Sequence, residues 1–526
     1  MKSAYNIVMS LRTRIQKSIE KAAPGIDVTV EVPQRPEHGD YATNAAFLLT
    51  QKSISSKDAA QNLVQNIDSA LFEKIDIAGA GFINFFLKKE LLYGELETIR
   101  KEKLSYGTGE KKQKKIQVEC ISANPTGPIT LGNGRGAFLG DTLARALKHA
   151  GFTVETEYYV NDAKASKQIS DLGKTALGEE SAYPYIEELY LQEHPNIKKE
   201  IEGMTAAEAG HTLAQFIQKE NEKTLQDIGI HTDVFFHEQE LFDKKKVRAA
   251  VDLLKKHNLD YEKDGALWLR TSAHGDTEDR VIIRNTGEPT YFLTDLAYHL
   301  NKFTDRKFNT VIDIWGADHH GYAPRLQAAL RALGIRDEQF RVIITQLVRL
   351  TENGKEVRMS KRTGQFETLA DFVNDIGIDA ARYFFLEKSP DTHMDFDLGI
   401  AREHSAKNPV YYIQYAHARI ASILNEAQSQ KHPDYALLTE QKELALIKHM
   451  AQFPDVIEDA ARTFQVHHIP RYAYELAHAF HDFYEEHHVI QENKELEAAR
   501  AALVEGVQTV LQNTLHILGI HAPEHM

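Results

Sequence analysis

The sequence predicts a multidomain α/β protein, with a Rossmann-like parallel-sheet domain between an N-terminal α/β domain and a C-terminal all-α domain. A chain of 526 residues is too long for one hydrophobic core, so we expect at least three domains. Between residues 116 and 350, segments typical of strands alternate with segments typical of helices, which favours a mostly parallel, doubly wound sheet. From about residue 405 onward, apolar residues recur at helical spacing. We therefore place the domains at residues 1–110, 111–404 and 405–526.

The N-terminal domain is predicted from short elements. Apolar residues four apart up to Ile19 indicate a first helix that ends at Pro24-Gly25, although the basic residues among them also occur in transit peptides. The next predicted elements are a strand at Ile26–Val32, a helix at Tyr41–Ser53 and a strand at Gly81–Leu87. The charge run Gly107–Lys115 is then a linker or a basic patch that faces RNA.

The middle domain opens with a segment suited to phosphate binding. Val118–Gly151 indicates a strand, a Pro/Gly-rich loop and a helix that begins with closely spaced glycines. Helix N-termini hold anions through free backbone N–H groups and the helix dipole. A strand at Val154–Val160 follows, then a Glu/Lys-rich helical insertion at about 171–280, and strand–helix alternation returns from Tyr291 to Leu350.

A second phosphate-handling segment lies more than two hundred residues later. RMSKRTG, residues 358–364, is a short polar loop with three cations. Two such segments far apart in the chain predict one nucleotide site that is closed from two sides of a sheet.

Composition excludes several classes of protein. The single cysteine, Cys120, excludes a disulfide framework and a cysteine-based zinc site, and no apolar run reaches about 18 residues, the length of a membrane span. The formal charge of −14 argues against bulk nucleic-acid binding but allows a local basic track. We expect a cytoplasmic protein, without membrane association, that acts as a monomer.

The glycine-rich helix start allows a dehydrogenase as an alternative. GNGRGA at Gly132–Ala137, with Glu155 about twenty residues on, loosely matches a dinucleotide fingerprint. These glycines follow the strand by about a dozen residues instead of directly, and a dehydrogenase gives no role to RMSKRTG. Absence of nicotinamide binding would remove this alternative.

A set of motifs carries a more specific resemblance over essentially the whole chain. In order, they are SANPTGP (Ser122–Pro128), GRGAFLGD (Gly134–Asp141), YYVNDA (Tyr158–Ala163), PTYFLTDLAYH (Pro289–His299), WGADHHGY (Trp315–Tyr322), MSKRTG (Met359–Gly364), DAARYFFL (Asp379–Leu386) and NPVYYIQYAHAR (Asn408–Arg419). This series resembles the class I aminoacyl-tRNA synthetases, and specifically the arginyl-tRNA synthetases. HGDYATN (His38–Asn44) and GFINF (Gly81–Phe85) resemble that family's extra tRNA-binding domain.

The resemblance implies a two-step reaction with ATP, L-arginine and tRNA(Arg) as partners. Arginine attacks the α-phosphate of ATP, which enters with Mg²⁺, and the arginyl group then passes to the 3′ end of the tRNA. Members of the family commonly need bound tRNA before they form the adenylate. No metal site of the protein itself is implied.

The first class I signature differs from the family pattern. Thr130-Leu131-Gly132-Asn133 stands where His-x-Gly-His is usual. Thr130 and Asn133 keep hydrogen-bond donors for phosphates but carry no positive charge, and Gly132 lets the backbone approach ATP. Some tryptophan-specific members carry a similar Thr-x-Gly-Asn. The expectation is an active enzyme, and the alternative is a degenerate paralogue that binds tRNA without charging it.

The second signature is nearly intact as Arg358-Met359-Ser360-Lys361. By resemblance, these residues contact ATP, and Lys361 places a mobile charge on the leaving pyrophosphate. Gly316 and Asp318 resemble contacts on the adenosine side.

The resemblance also assigns residues to arginine. Asp295 and Tyr291 are placed for the guanidinium, and Glu119, Asn124 and His319 for the amino-acid end. From the sequence alone, Asp295 could instead be a helix N-cap, and the pair His319-His320 could suggest a metal, although it lacks the usual partner spacing.

For tRNA, the resemblance points to both ends of the chain. Phe82 and Asn84 resemble residues that read a D-loop base, and Tyr415 and Met526 resemble anticodon contacts. Core packing is an equal alternative for Phe82 and for Tyr415.

Overall fold

The structure is a computed structural model that describes residues 9–50, 54–357, 368–427 and 430–526. Its residue contacts divide the chain into two compact units. The first unit consists of residues 1–110, 149–151 and 404–526, and the second of residues 111–148 and 152–403. The chain therefore passes from one unit to the other near Glu110 and again near Glu403.

The strands of the described residues are β1 (Val30–Glu31), β2 (Tyr41–Thr43), β3 (Phe72–Ala78), β4 (Phe82–Leu87), β5 (Lys115–Ala123), β6 (Thr153–Val160), β7 (Val234–His237), β8 (Asp260–Lys263), β9 (Ala266–Leu269), β10 (Arg280–Ile283), β11 (Thr310–Gly316), β12 (Phe340–Thr345), β13 (Val348–Glu352), β14 (Lys355–Glu356) and β15 (Met394–Asp397).

The α-helices of the described residues are α1 (Leu11–Ala22), α2 (Ala45–Leu48), α3 (Ser56–Asn66), α4 (Lys89–Glu102), α5 (Leu131–His149), α6 (Lys167–Leu177), α7 (Leu191–Glu193), α8 (Pro195–Glu200), α9 (Ala206–Asp227), α10 (Gln239–Asp243), α11 (Lys246–Lys256), α12 (Tyr291–Leu300), α13 (Ala323–Ala332), α14 (Leu369–Ile376), α15 (Ile378–Leu386), α16 (Leu398–Ala401), α17 (Pro409–Glu426), α18 (Gln441–Ala451), α19 (Phe453–Thr463), α20 (His468–Glu486) and α21 (Lys494–Leu518).

The second unit is built on a five-stranded parallel sheet in the order β12-β11-β5-β6-β7. The chain starts at β5, adds β6 and β7 on one side, and later adds β11 and β12 on the other side. The direction of winding therefore reverses between β5 and β11. In open α/β sheets, ligands bind beyond the carboxyl ends of the strands at such a switch point. The prediction of a doubly wound, Rossmann-like domain is confirmed.

Close approach of α5 to β5 fixes the entrance to this switch point. A Cβ on Gly140 would lie 2.6 Å from the sulfur of Cys120, and one on Gly134 would lie 2.6 Å from Leu369 Cδ1. Cys120 lies at an irregularity of β5, where the register with β6 shifts between Glu119 and Ile121. Gly134 and Gly140 are therefore needed for the packing of α5.

The predicted insertion is helical over most of its length. Helices α6 to α11 account for most of residues 167–256, but β7 joins the parallel sheet. Strands β8, β9 and β10 form an antiparallel sheet instead of continuing the helices. The two-residue turn between β8 and β9 is Asp264-Gly265, with φ angles of 52° and 73°.

In the first unit, the N-terminal segment forms a four-stranded sheet in the order β1-β2-β4-β3. The predicted first helix is confirmed as α1, which buries Leu11, Ile15 and Ile19 and is capped by the Ser10 side chain. The predicted helix at Tyr41–Ser53 is wrong at its start, because Tyr41–Thr43 pairs with β4 as a strand. Of the described part of this range, up to residue 50, only Ala45–Leu48 is helical.

The C-terminal segment is helical as predicted, from α17 to α21. Within the first unit it contacts the N-terminal segment through ion pairs. Arg12 Nη1 lies 2.6 Å from Asp459 Oδ2, Tyr41 donates to Asp455 at 3.3 Å, and Lys448 Nζ lies 2.5 Å from an oxygen of Asp40. The two ends of the chain therefore pack as one body.

Candidate active site

A cavity of about 910 Å³ lies at the switch point of the parallel sheet. Its walls come from the carboxyl ends of β5, β11 and β12, the loop that precedes α5, and the first turn of α5. The predicted residues that line it are Asn124, Thr130, Gly132, Asn133, Gly316, Asp318 and His319. The fold thus brings the first signature and the Trp315–Tyr322 motif to one cavity.

The signature residues Thr130 and Asn133 bond to each other at the start of α5. Asn133 Oδ1 accepts from the Thr130 hydroxyl at 2.9 Å and from the Thr130 backbone N–H at 3.3 Å. The bond to the backbone is the one that the third helical residue makes in a capping box. Because Oδ1 is engaged, the amide nitrogen is the part of Asn133 that remains available to donate to a ligand.

Glycines shape both sides of the cavity. Among the described residues, a Cβ on Gly132 would contact only Thr130 Oγ1, at 3.6 Å, so their packing does not require glycine there. At Gly316 a Cβ would lie 2.7 Å from Asp318 Oδ1, so this glycine allows the Asp318 side chain to fold back. The exposed ring of His319 lies 5.9 Å from that of Trp315, and its Nε2 lies 3.4 Å from Asp318.

Of the residues predicted for the amino-acid end, Asn124 faces the cavity and Glu119 does not. Asn124 Oδ1 accepts from Asn161 Nδ2 at 2.9 Å. The Glu119 carboxylate is buried behind the wall of the cavity, where it accepts from Lys302 Nζ at 2.6 Å, from the Tyr298 hydroxyl at 2.8 Å and from the Ser122 hydroxyl.

Glu119 belongs to a buried network of charges beneath the sheet. Lys302, which is fully buried, also lies 3.0 Å from Asp313 Oδ1, and His299 Nε2 lies 2.7 Å from Asp313 Oδ2. Burial and the charge of Asp313 raise the pKa of Glu119. Burial alone would raise the pKa of Asp313 as well, but Lys302 and His299 outweigh it and lower that pKa.

The residues predicted for the guanidinium come from one helix, α12. The N-cap of α12 is Thr290, so the alternative that Asp295 caps this helix is wrong. Asp295 accepts a hydrogen bond from the Tyr322 hydroxyl, and its pKa is raised by burial, which that bond partly opposes. The Tyr291 hydroxyl is half-exposed and lies 3.4 Å from the Lys167 backbone nitrogen, beyond the end of β6.

A further acid, Glu238, was missed from the sequence. It is buried at the end of β7, and burial, followed by the charges of Asp295 and Asp162, raises its pKa to about 8. Among the described residues, no cation forms an ion pair with Glu238 or Asp295. A buried acid and a partly buried acid that act on each other, without an ion-paired cation among the described residues, make a site suited to a positively charged ligand.

Arg358, Met359, Ser360 and Lys361 lie outside the described residues. The chain just after that segment returns to the first signature. Thr368 forms a β-bridge with Thr130, and the Leu369 backbone nitrogen donates to the Ile129 carbonyl at 2.9 Å. The chain that follows the second signature is therefore adjacent to the first signature at this bridge.

The residues predicted for tRNA lie in the first unit. Phe82 is half-exposed, with its ring 5.1 Å from that of Phe47, whereas Asn84 is buried in β4. Tyr415 is exposed on α17 and stacks on His481 at 6.0 Å, and Met526 is exposed at the chain end. The alternative that Phe82 and Tyr415 are core residues is therefore wrong.

Among the described residues, no group of three or more His, Cys, Asp or Glu side chains is placed to hold a metal ion. Within the same residues, no helix combines the length and the apolar character needed to cross a membrane.

Three family models match the chain. The arginyl tRNA synthetase N terminal domain matches residues 9–87, the catalytic domain of tRNA synthetases class I (R) matches residues 95–422, and the DALR anticodon binding domain matches residues 413–526.

Individual proteins match over nearly the same extent. An arginine–tRNA ligase of Desulforamulus reducens is 40% identical over 99% of this chain and 100% of its own. Another, from Carboxydothermus hydrogenoformans, is 42% identical over 94% of each chain. The solved arginyl-tRNA synthetase of Thermus thermophilus has the same fold, with a TM-score of 0.79, 21% identity, and coverage of 98% of this chain and 100% of that one.

Proposed function

The chain belongs to the class I arginyl-tRNA synthetases, and from that premise we propose how its residues divide the work of the reaction. It is an arginine–tRNA ligase. A carboxylate oxygen of L-arginine attacks the α-phosphorus of ATP, the bond to the β-phosphate oxygen breaks, and pyrophosphate leaves. The 3′-terminal ribose hydroxyl of tRNA(Arg) then attacks the acyl carbon of arginyl-adenylate, and AMP leaves.

We propose that ATP occupies the cavity at the switch point, with its phosphates toward the first turn of α5. The observation that carries this proposal is the shared cavity of the first signature and residues 316–319. Thr130 and the Asn133 amide nitrogen would donate to phosphate oxygens, Gly132 would leave room for them, and Gly316 and Asp318 would contact the adenosine. Donors held in place before binding stabilise charge that develops during the reaction.

For arginine, we propose that the guanidinium lies between Asp295 and Glu238, with Tyr291 at the edge. Glu238 is buried and Asp295 is partly buried, neither forms an ion pair with a cation among the described residues, and a planar guanidinium can bond to both. Asn124 and His319, which line the cavity, would hold the amino-acid end. Glu119 lies behind the cavity wall and would act on arginine indirectly, through the hydrogen bond that it accepts from Ser122.

The second signature and the tRNA contacts remain proposals from the sequence. Lys361, with Arg358, Met359 and Ser360, would neutralise the leaving pyrophosphate. The exposed side chains of Phe82, Tyr415 and Met526 suit contacts with RNA bases. Asn84 is buried in β4, so an RNA base would contact it only if that strand became accessible. We further propose a cytoplasmic monomer of three domains, for which Mg²⁺ enters with ATP.

The test is aminoacylation of total tRNA with labelled arginine and ATP–Mg²⁺, against a pool of the other amino acids. We expect arginine-specific charging by the chain with Thr130 and Asn133 as they stand. The comparison variant carries both Thr130→His and Asn133→His. If only that variant charges tRNA, while the natural chain binds tRNA, the chain is a tRNA-binding paralogue and not an active enzyme.

A further inference from the structure

The loop that precedes the first signature is held by a side chain from the insertion. Asn221, on α9, is 2% exposed. Its Oδ1 accepts from the Ile129 backbone N–H at 3.1 Å, and its Nδ2 donates to the Gly127 carbonyl at 3.2 Å. The oxygen and the nitrogen of the Asn221 amide therefore both bond to the backbone of the three residues that precede Thr130.

The position of α9 is itself fixed by close contact between backbones. A Cβ on Gly173 of α6 would lie 1.7 Å from the Ala206 carbonyl oxygen, and one on Gly210 of α9 would lie 1.8 Å from the Ile169 carbonyl oxygen. The two helices thus cross without side chains between them. A helix held in this way presents Asn221 at a defined position and distance from the loop.

The same loop is held from a second direction. The Ile129 carbonyl accepts from the Leu369 backbone nitrogen at 2.9 Å, and among the described residues the partner of the Ile129 N–H is Asn221. A buried backbone N–H that loses its partner costs about 1–3 kcal/mol. The loop is therefore expected to shift when the side chain at position 221 no longer accepts the hydrogen bond from Ile129.

We propose that Asn221 is a positioning residue for ATP. By fixing Gly127–Ile129, it sets the direction in which the first turn of α5 presents Thr130 and Asn133 to the cavity. Asn221 also lines that cavity, as does Tyr185 of the same insertion. The insertion then contributes to nucleotide binding through the signature loop, and this inference rests on the proposed position of ATP.

The chemistry of the two bonds selects an amide. An aspartate at this position could still accept from Ile129, but its second oxygen would face the Gly127 carbonyl as an acceptor against an acceptor. An alanine would lose both bonds. Asn221→Asp therefore changes one bond at nearly constant shape, and Asn221→Ala tests the loss of both.

Gln218 offers a matched control one turn earlier on α9. It is 1% exposed, its Nε2 lies 3.5 Å from Glu222 Oε1, and its Oε1 has no hydrogen-bond partner among the described residues. Gln218→Met removes a buried amide from the same helix without touching the signature loop. Any general effect of disturbing α9 should appear in this variant as well.

The experiment is tRNA-dependent ATP–pyrophosphate exchange with varied ATP and with varied arginine, alongside thermal denaturation. We expect kcat/KM for ATP to fall roughly five- to hundredfold in both Asn221 variants relative to Gln218→Met, the range given by one lost bond. The KM for arginine should change much less. Wild-type kcat/KM for ATP in both variants, or equal losses for ATP and arginine, would overturn the proposal.

Two further measurements cover the remaining outcomes. If Asn221→Asp and Asn221→Ala do not fold, Asn221→Ser is the third variant, because it keeps a polar side chain at this position. The ratio of ATP to arginine kcat/KM does not depend on the folded fraction. Equilibrium binding of a non-hydrolysable ATP analogue needs no charging activity. If the unaltered chain charges no tRNA, the proposed function fails, whereas unchanged analogue affinity in the Asn221 variants contradicts only the role of Asn221.

Discussion

Replacing Lys302 by methionine tests the buried charge network most directly. Lys302 Nζ lies 2.6 Å from Glu119 and 3.0 Å from Asp313, and all three side chains are almost completely buried. Methionine keeps much of the volume and removes the charge. Glu119 and Asp313 would then face each other without their shared cation.

The size of the effect follows from the burial of the pair. Breaking a buried ion pair by removing one partner costs about 3–5 kcal/mol, since the other charge stays buried. At an unfolding entropy of about 2.1 cal/mol/K per residue, 1 kcal/mol shifts the Tm of a unit of roughly 290 residues by about 1.6 °C, so we expect a fall of about 5–8 °C. An exposed pair in the same unit, Arg349 with Asp395, has side chains that are 56% and 57% exposed. Arg349→Met should cost at most about 1 kcal/mol.

The pH dependence has a defined sign. The pKa of Glu119 is already raised by burial and by Asp313, and loss of Lys302 should raise it further. An acid whose folded pKa lies above its unfolded value binds more protons when folded, so stability rises as the pH falls toward the unfolded pKa. The Tm difference between Lys302→Met and wild type should therefore shrink as the pH is lowered from 8 to about 5.

Differential scanning calorimetry across this pH range measures both effects. A Tm loss in Lys302→Met no larger than that in Arg349→Met would refute the energetic reasoning. A Tm difference that does not depend on pH would refute the prediction that the loss of Lys302 leaves the Glu119 carboxylate without a partner.

Three other predictions follow from the site and its supports. Arginine binding should release a proton near pH 7, because a guanidinium beside Glu238 lowers the pKa of that carboxyl group, which is about 8 without the ligand. The affinity for arginine should therefore rise toward pH 8. Calorimetry in two buffers should detect the proton release in the wild type and none in Glu238→Gln. Gly140→Ala should lower the free energy of unfolding by about 1–3 kcal/mol, because α5 would be forced away from Cys120. Gly94→Ala, for which no atom of the described residues lies within 4 Å, should raise it by roughly 0.5–1 kcal/mol through α4. Equal Tm shifts in the two variants would contradict the packing argument. Lys361→Ala should strongly slow adenylate formation and leave tRNA affinity nearly intact, and a wild-type exchange rate would exclude its role.

The parallel sheet could be predicted because its strands and helices have strong periodic patterns. Val118 and Ile121 lie in a continuous buried run, and the C-terminal helices have apolar residues at regular spacing. The strand at Tyr41–Thr43 was missed because it is three residues long and depends on pairing with β4. Sheet β8–β10 carried a recognisable signal in Asp264-Gly265, a dipeptide typical of two-residue hairpin turns.

The site was less accessible to sequence reasoning. The cavity residues next to the signature were predicted from motifs that the chain carries in order. Glu238 and Asn221 act only through residues distant in sequence: Glu238 near Asp295 and Asp162, and Asn221 on the backbone of Gly127–Ile129. No local pattern marks either residue, because burial and convergence of three chain segments give each its chemistry.

The packing of both chain ends into one unit has a consequence for synthesis. The partners of Arg12 and Tyr41 are Asp455 and Asp459, and roughly 300 residues of the second unit separate the two parts of the first. At translation rates of about 5–20 residues per second, the N-terminal segment waits roughly 15–60 s for these partners. During that interval, the surface of α1 and β2 that later meets α19 is open to water and to other nascent chains.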